Sequence, residues 1–323
     1  MTAIGFLFPG QGSQRVGMGS DLVAMHPDLL DRFYRTADDI LGMELSQLCF
    51  EGSAEELRRT DITQPAVFLS SVVALEVLRR KGLQPDVVAG HSLGEYAALV
   101  AAGSLEWTDA LQLVRRRGQL MAAVNERSAG GMAAVIGLPL DTVAAMCASV
   151  QAQTGEIVEV ANDNDPRQVV VSGHRGALAE LAASALAAGA ERVVALQVGA
   201  PFHCSLMTEI ADEFDAALSQ VTFRDPLIPI VANVTAAPVT TAADAVMRLR
   251  QQLAGRVRWT GTLQLLAANG VGAFVEVGPG RVLAGFCRAT CPDIPVYAGG
   301  ELRRISQTVA ALSQAERPSA EAA

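Results

Sequence analysis

The chain opens with an apolar run, Ala3–Phe8, cut short by Pro9-Gly10, which predicts a buried strand followed by the loop PGQGSQ. Residues Gln64–Lys81 carry apolar side chains at helical spacing and stop at Gly82, predicting a helix closed by a glycine cap. Asp86–Ala89 predicts a short strand that runs directly into GHSLGEYAALVAAG, a turn and then a helix. Trp107–Val124 predicts another helix, carrying the triplet Arg115-Arg116-Arg117. Near Ser128 the rhythm changes. Strands are predicted over Gly131–Gly137, Ile157–Ala161, Gln168–Ser172 and Arg192–Val198, with helices over Asp141–Val150 and Arg175–Ala188. That order, β-α-β-β-α-β, is the ferredoxin-like arrangement.

Beyond it the pattern predicts a helix from Cys204, a strand near Ile228–Val231 and helices near Asp244–Leu253 and Thr260–Ala268. A strand over Ala273–Val277 and a helix after Gly278-Pro279-Gly280 follow. The expectation is an α/β protein. Residues 1–127 and 200–303 form a large domain around a parallel sheet, 128–199 form an inserted ferredoxin-like small domain, and 304–323, rich in Ala, Ser and Glu, form a frayed tail.

Composition narrows the classes. Half of the 323 residues are hydrophobic and only 5% aromatic, which suits buried parallel strands under helices. A net charge of −9 without a basic block argues against nucleic acid and anionic membrane as partners. An acidic protein partner would need a local basic patch, for which Arg115, Arg116, Arg167 and Arg192 are the candidates. The five cysteines form no CxxC pair, so a reducing cytoplasm is expected rather than a disulfide framework. The start lacks the charge and apolar pattern of a signal peptide, and no uncharged apolar run is long enough to predict a membrane span.

Chemistry concentrates at Gly90-His91-Ser92-Leu93-Gly94, a G-x-S-x-G pattern between a predicted strand and a predicted helix. The glycines permit a tight turn that exposes the serine at a helix N-terminus, where the N–H of Leu93 can meet an oxyanion. The plainer alternative is a helix-capping serine, and the strand–turn–helix context favours the nucleophile. Such a serine needs a base. His26 and His174 read as surface-loop residues and His91 as pointing away from the nucleophile. His203, at a predicted strand end in APFHC, is modestly favoured over a satisfied core histidine. Neighbouring Cys204 reads as a buried cysteine. The PGQGSQ loop is neither a P-loop nor a G-x-G-x-x-G fingerprint, so Gln11 is a candidate oxyanion donor and the alternative is an ordinary turn. Three consecutive arginines cannot share one helix face, so at least one, with Arg117 the candidate, can point inward, where it would want a carboxylate; on the residues alone a solvated triplet is the favoured reading.

In order along the chain, FPGQGSQ, TQPA, GHSLGE, Arg117-Gly118, GGMAAVIG, QVVVSG, PFHCSLM and VGPG resemble the malonyl-CoA:acyl-carrier-protein transacylase family, the acyltransferases of fatty-acid and polyketide synthesis. The resemblance spans residues from about 3 to about 300. It implies an α/β-hydrolase-like large domain and a ferredoxin-like small one. It implies Ser92 as nucleophile, His203 as base, Gln11 and Leu93 as oxyanion donors, and Arg117 as the partner of the malonyl carboxylate. It also implies Asn162 and Phe202 in the cleft, and Gln252 as the residue whose backbone carbonyl orients His203. Around Gln252 the stretch QLAGRVRWT departs from the family's usual asparagine-proline at Gly255-Arg256. The implied reaction is ping-pong transfer of malonyl from malonyl-CoA to a carrier-protein thiol, with no metal and no cofactor beyond that substrate, in a monomer. Two alternatives remain: an acyl-thioester hydrolase on the same scaffold, with Asp163 or Asp165 as its acid, and a non-catalytic docking subunit. Fatty-acid, polyketide and malonate-decarboxylase settings are not separated.

Overall fold

The computed structural model describes residues 3–127 and 129–315, and the predicted boundary Ser128 and residues 316–323 lie outside them. Eleven strands among the described residues form two sheets. They are β1 (Ala3–Phe8), β2 (Val87–Gly90), β3 (Gly130–Ile136), β4 (Val158–Asp165), β5 (Gln168–His174), β6 (Arg192–Ala195), β7 (Ile230–Ala232), β8 (Ala237–Val239), β9 (Val257–Arg258), β10 (Val271–Glu276) and β11 (Val296–Ala298).

The first sheet runs β11-β10-β1-β2-β7-β8. Its five leading strands pair in parallel, as buried apolar runs joined by helices should. The predicted all-parallel sheet is corrected at one edge, where β8 turns back on β7 antiparallel. The second sheet runs β6-β3-β5-β4-β9. Its first four strands pair antiparallel, and β9 joins β4 in parallel from beyond residue 199, in register Asn162↔Val257. This two-residue strand, too short for any periodicity to reveal, bonds the two sheets' segments together.

The helix Thr60–Arg80 begins four residues earlier than predicted and contains Pro65 in its second turn. Proline leaves the carbonyl four residues back without an intrahelical donor. Here that carbonyl, of Asp61, accepts from the Arg115 guanidinium. By length and composition this helix could cross a membrane, but its most apolar window is 89% buried within the fold. It packs against the helix Trp107–Arg127 at the centre of the principal core.

One expectation fails plainly. Leu302–Ala315 is a helix, not a frayed tail. Ile305, Thr308 and Leu312 recur at helical spacing and are buried, and Ile305 belongs to the principal core.

Candidate active site

β2 ends at Gly90, and the chain turns at once into the helix Gly94–Ala101. The turn is possible only with glycine at both ends. A Cβ at Gly90 would sit 2.0 Å from the Gly94 carbonyl, and one at Gly94 would sit 2.0 Å from the Phe8 carbonyl oxygen. Between them Ser92 holds φ 52°, in the left-handed region that non-glycine residues avoid. Asn233, just after β7, braces it. Asn233 Oδ1 accepts from Ser92 N at 2.6 Å, and Nδ2 donates to the Gly90 carbonyl at 2.6 Å.

His203 is likewise strained, at φ 58°, and buried. Its Nε2 lies 2.6 Å from Ser92 Oγ, and its Nδ1 lies 2.9 Å from the Gln252 carbonyl oxygen. A carbonyl only accepts, so Nδ1 carries the proton and Nε2 of the neutral ring is left to accept from the serine. Burial, reinforced by the positive charge of Arg117, pushes the His203 pKa down to about 3. The ring is therefore held as a neutral base.

Arg117 turns inward and is buried, as the resemblance implied and against the solvated triplet that the residues alone favoured, while Arg115 pairs with Asp61 and Arg116 with Glu213. The expected carboxylate partner is absent. Arg117 donates to Gln64 Oε1 (2.9 Å), Gln252 Oε1 (3.0 Å) and Ser92 Oγ (3.2 Å), and its Nε has no partner among the described residues. The guanidinium also lies over the Tyr96 ring, 5.8 Å from its centroid, so a buried positive charge stands beside the nucleophile on neutral hydrogen-bond partners.

A cleft of about 340 Å³ opens over Ser92 and His203, lined by Gln11, Asn162 and Phe202 among others. Gln252 is fully buried behind it, so this residue touches the machinery and not the cleft space. The backbone N–H groups of Gln11 and Leu93 form no hydrogen bond among the described residues. Asn162 is 5% exposed and makes no side-chain hydrogen bond there either. His91 points away from Ser92, as expected, and meets Asn164 Oδ1 at 2.8 Å, joining the two sheets across the cleft floor.

The hydrolase alternative asked for an acid beside the histidine. Asp163 instead binds Thr260, and Asp165 accepts from Arg167 N. Cys204 is buried, with its thiol pushed up by desolvation. Of the four arginines expected to face an acidic partner, Arg167 too is engaged, by Glu191, and Arg192 alone has no ion pair among the described residues. Residues of the site that escaped the sequence reading include Asn233, Glu95, Asn164 and Gln64. Glu95 left a signal, as the single acid in an apolar helical turn.

The family model described as an acyl transferase domain matches residues 5–312. The malonyl CoA-acyl carrier protein transacylase of Salmonella typhimurium is 40% identical over 97% of this chain and 100% of its own length. Its Bacillus subtilis namesake is 38% identical over 97% and 98%. A type II PKS acyl-carrier protein's malonyl-transacylase, solved in complex with that carrier, superposes with a TM-score of 0.92 at 36% identity, covering 96% of this chain and 100% of that one. FabD from Acinetobacter baumannii gives 0.92 at 38% identity, covering 97% and 99%.

Proposed function

The chain belongs to the acyl transferase domain family, and from that premise we propose how its cleft works as a malonyl-CoA:acyl-carrier-protein transacylase. It is an acyltransferase whose substrates are malonyl-CoA and an acyl carrier protein. His203 Nε2 takes the Ser92 proton as Oγ attacks the malonyl thioester carbonyl. The free N–H groups of Gln11 and Leu93 receive the oxyanion, an interaction typically worth about 10²–10³ in rate per donor. The thioester C–S bond breaks, and His203 returns its proton to the coenzyme A thiolate. The phosphopantetheine thiol of the carrier then attacks the malonyl-serine ester, and the same proton transfers run in reverse. Arg117 pairs with the malonyl carboxylate, while Asn162 and Phe202 bound the acyl pocket, so the reading needs no metal or cofactor. Arg58, exposed in the cleft lining and without an ion pair among the described residues, faces the incoming substrate arm.

The fold reading follows the same premise. The six-stranded sheet with its strand–serine–helix turn is α/β-hydrolase-like, and 128–199 form an inserted ferredoxin-like small domain, a reading supported by the order β6-β3-β5-β4. Five free, buried cysteines suit a cytoplasmic location.

One observation carries the malonyl assignment: the buried Arg117 forms no ion pair among the described residues and lies 3.2 Å from Ser92 Oγ. A charge-assisted pair is worth roughly 1.5–3 kcal/mol, so Arg117→Ala should lose about 10- to 100-fold in kcat/KM for malonyl-CoA while acetyl-CoA turnover holds or rises. Unchanged malonyl-over-acetyl selectivity in steady-state assays would remove Arg117 from that role.

A further inference from the structure

Among the buried acids that the acyl-transfer steps leave unused, one lies beneath the groups that perform them. Glu95 sits in the first turn of the helix that follows the nucleophile and is 2% exposed. Its Oε2 accepts from Gln252 Nε2 at 2.7 Å and from Asn233 N at 3.2 Å. The charged groups that face it are Arg117 from the helix Trp107–Arg127 and Arg248 from the helix Ala242–Ala254. Neither forms an ion pair with it, and Arg248 is paired with Asp244. The phenol of Tyr96 lies beside it on its own helix.

Gln252 explains why an acid is needed there. Its amide oxygen accepts from Arg117 (3.0 Å), and its amide nitrogen donates both to the Ser92 carbonyl (3.0 Å) and to Glu95. Arginine can only donate and a backbone carbonyl can only accept, so one amide orientation serves both. An ionised Glu95 also only accepts and penalises the flipped amide, which would set oxygen against oxygen. A protonated Glu95 can donate to the flipped amide, whose NH₂ would then face the Arg117 guanidinium. The backbone of the same Gln252 holds His203, and Asn233, whose N–H Glu95 also receives, holds Ser92. We propose that Glu95 is a positioning residue: its carboxylate fixes Gln252 and Asn233, and through them sets Arg117, His203 and Ser92 for acyl transfer. This rests on the malonyl-transfer reading.

Burial pushes the Glu95 pKa up to about 7, while that of His203 is pushed down to about 3. An acid limb of activity near pH 7 is therefore expected from Glu95 and not from the base. The sign for stability is opposite. A carboxyl with a raised folded-state pKa favours folding at low pH, and that contribution is lost as pH rises from 4.5 through about 7. His203 works the other way, adding stability as pH rises from about 3 to 6.5, but it is common to wild type and variant, so their difference isolates Glu95.

The test is kcat/KM for malonyl transfer to holo carrier protein, against pH, for wild type, Glu95→Gln and Glu95→Asp, with urea unfolding over the same range. Wild type should lose activity as pH falls through about 7. Glu95→Gln should have a plateau lower by about 10-fold, no inflection near 7 and no stability slope from Glu95, and Glu95→Asp should recover the inflection. A Glu95→Gln profile parallel to wild type overturns the proposal, as does a uniform loss with the inflection intact. If Glu95→Gln does not fold, carbon-13 NMR of the glutamate carboxyls in wild type and Glu95→Asp decides: a resonance titrating in step with the activity profile and absent from Glu95→Asp sustains the proposal, and no such resonance overturns it. A wild-type chain that takes no malonyl group overturns the function reading and this proposal with it, whereas malonylated wild type with an unaltered variant profile overturns only the role of Glu95.

Discussion

The six-stranded sheet brings Ser92, Asn233 and the Gln11 loop to the carboxyl ends of β2, β7 and β1, whereas the five-stranded sheet presents Met132, Asn162 and Val170 to the same cleft. The two faces differ in how firmly they are held. On the first, each reacting group is fixed by partners that are themselves fixed: Gln252 alone bonds Arg117, Ser92, Glu95 and His203. On the second, the Asn162 side chain makes no hydrogen bond among the described residues and Asn164 makes a short chain to His91 and Gln168. Groups shared by many bonds cannot move without disturbing the chemistry, while groups with none can adapt to what enters. The first face should therefore govern rate and the second substrate affinity.

Breaking the first face should have the larger effects. Ser92→Ala should lower kcat by at least about 10⁴-fold in a coupled transfer assay, since no other group can form the ester. Asn233→Ala should come next. It strips support from a residue held at φ 52° and leaves Ser92 N and the Gly90 carbonyl without their partner. Each such group costs about 1–3 kcal/mol, so chemical denaturation should report a loss of roughly 2–6 kcal/mol for the two, together with a fall in kcat. At the small end, Asn162→Ala should raise KM for malonyl-CoA by about 2- to 10-fold, the worth of one neutral hydrogen bond, with kcat nearly unchanged. A large kcat effect at Asn162 would erase the contrast between the faces.

The legible part of the site was the part encoded locally. The G-x-S-x-G turn announces itself because its glycines are sterically obligatory, whereas the inward turn of Arg117 was carried by the family resemblance, since a solvated triplet fits helix geometry equally well. What surrounds Arg117 was misjudged: a carboxylate was expected, and the oxygens it meets belong to Gln64 and Gln252. Asn233 was illegible because its role depends on β7 lying beside β2, a pairing between residues far apart in sequence. The final helix was missed because its buried stripe of Ile305, Thr308 and Leu312 is thin and dispersed among alanine, serine and glutamine. The short strands β8 and β9 offer too few residues for any period to register.

The central claim is that malonyl passes through an ester on Ser92. Intact-protein mass spectrometry after brief mixing with malonyl-CoA, on wild type and Ser92→Ala, tests it most directly. The account predicts a malonyl adduct on wild type alone that disappears when holo carrier protein is added. An adduct that decays equally fast without carrier, or that persists on Ser92→Ala, would contradict it.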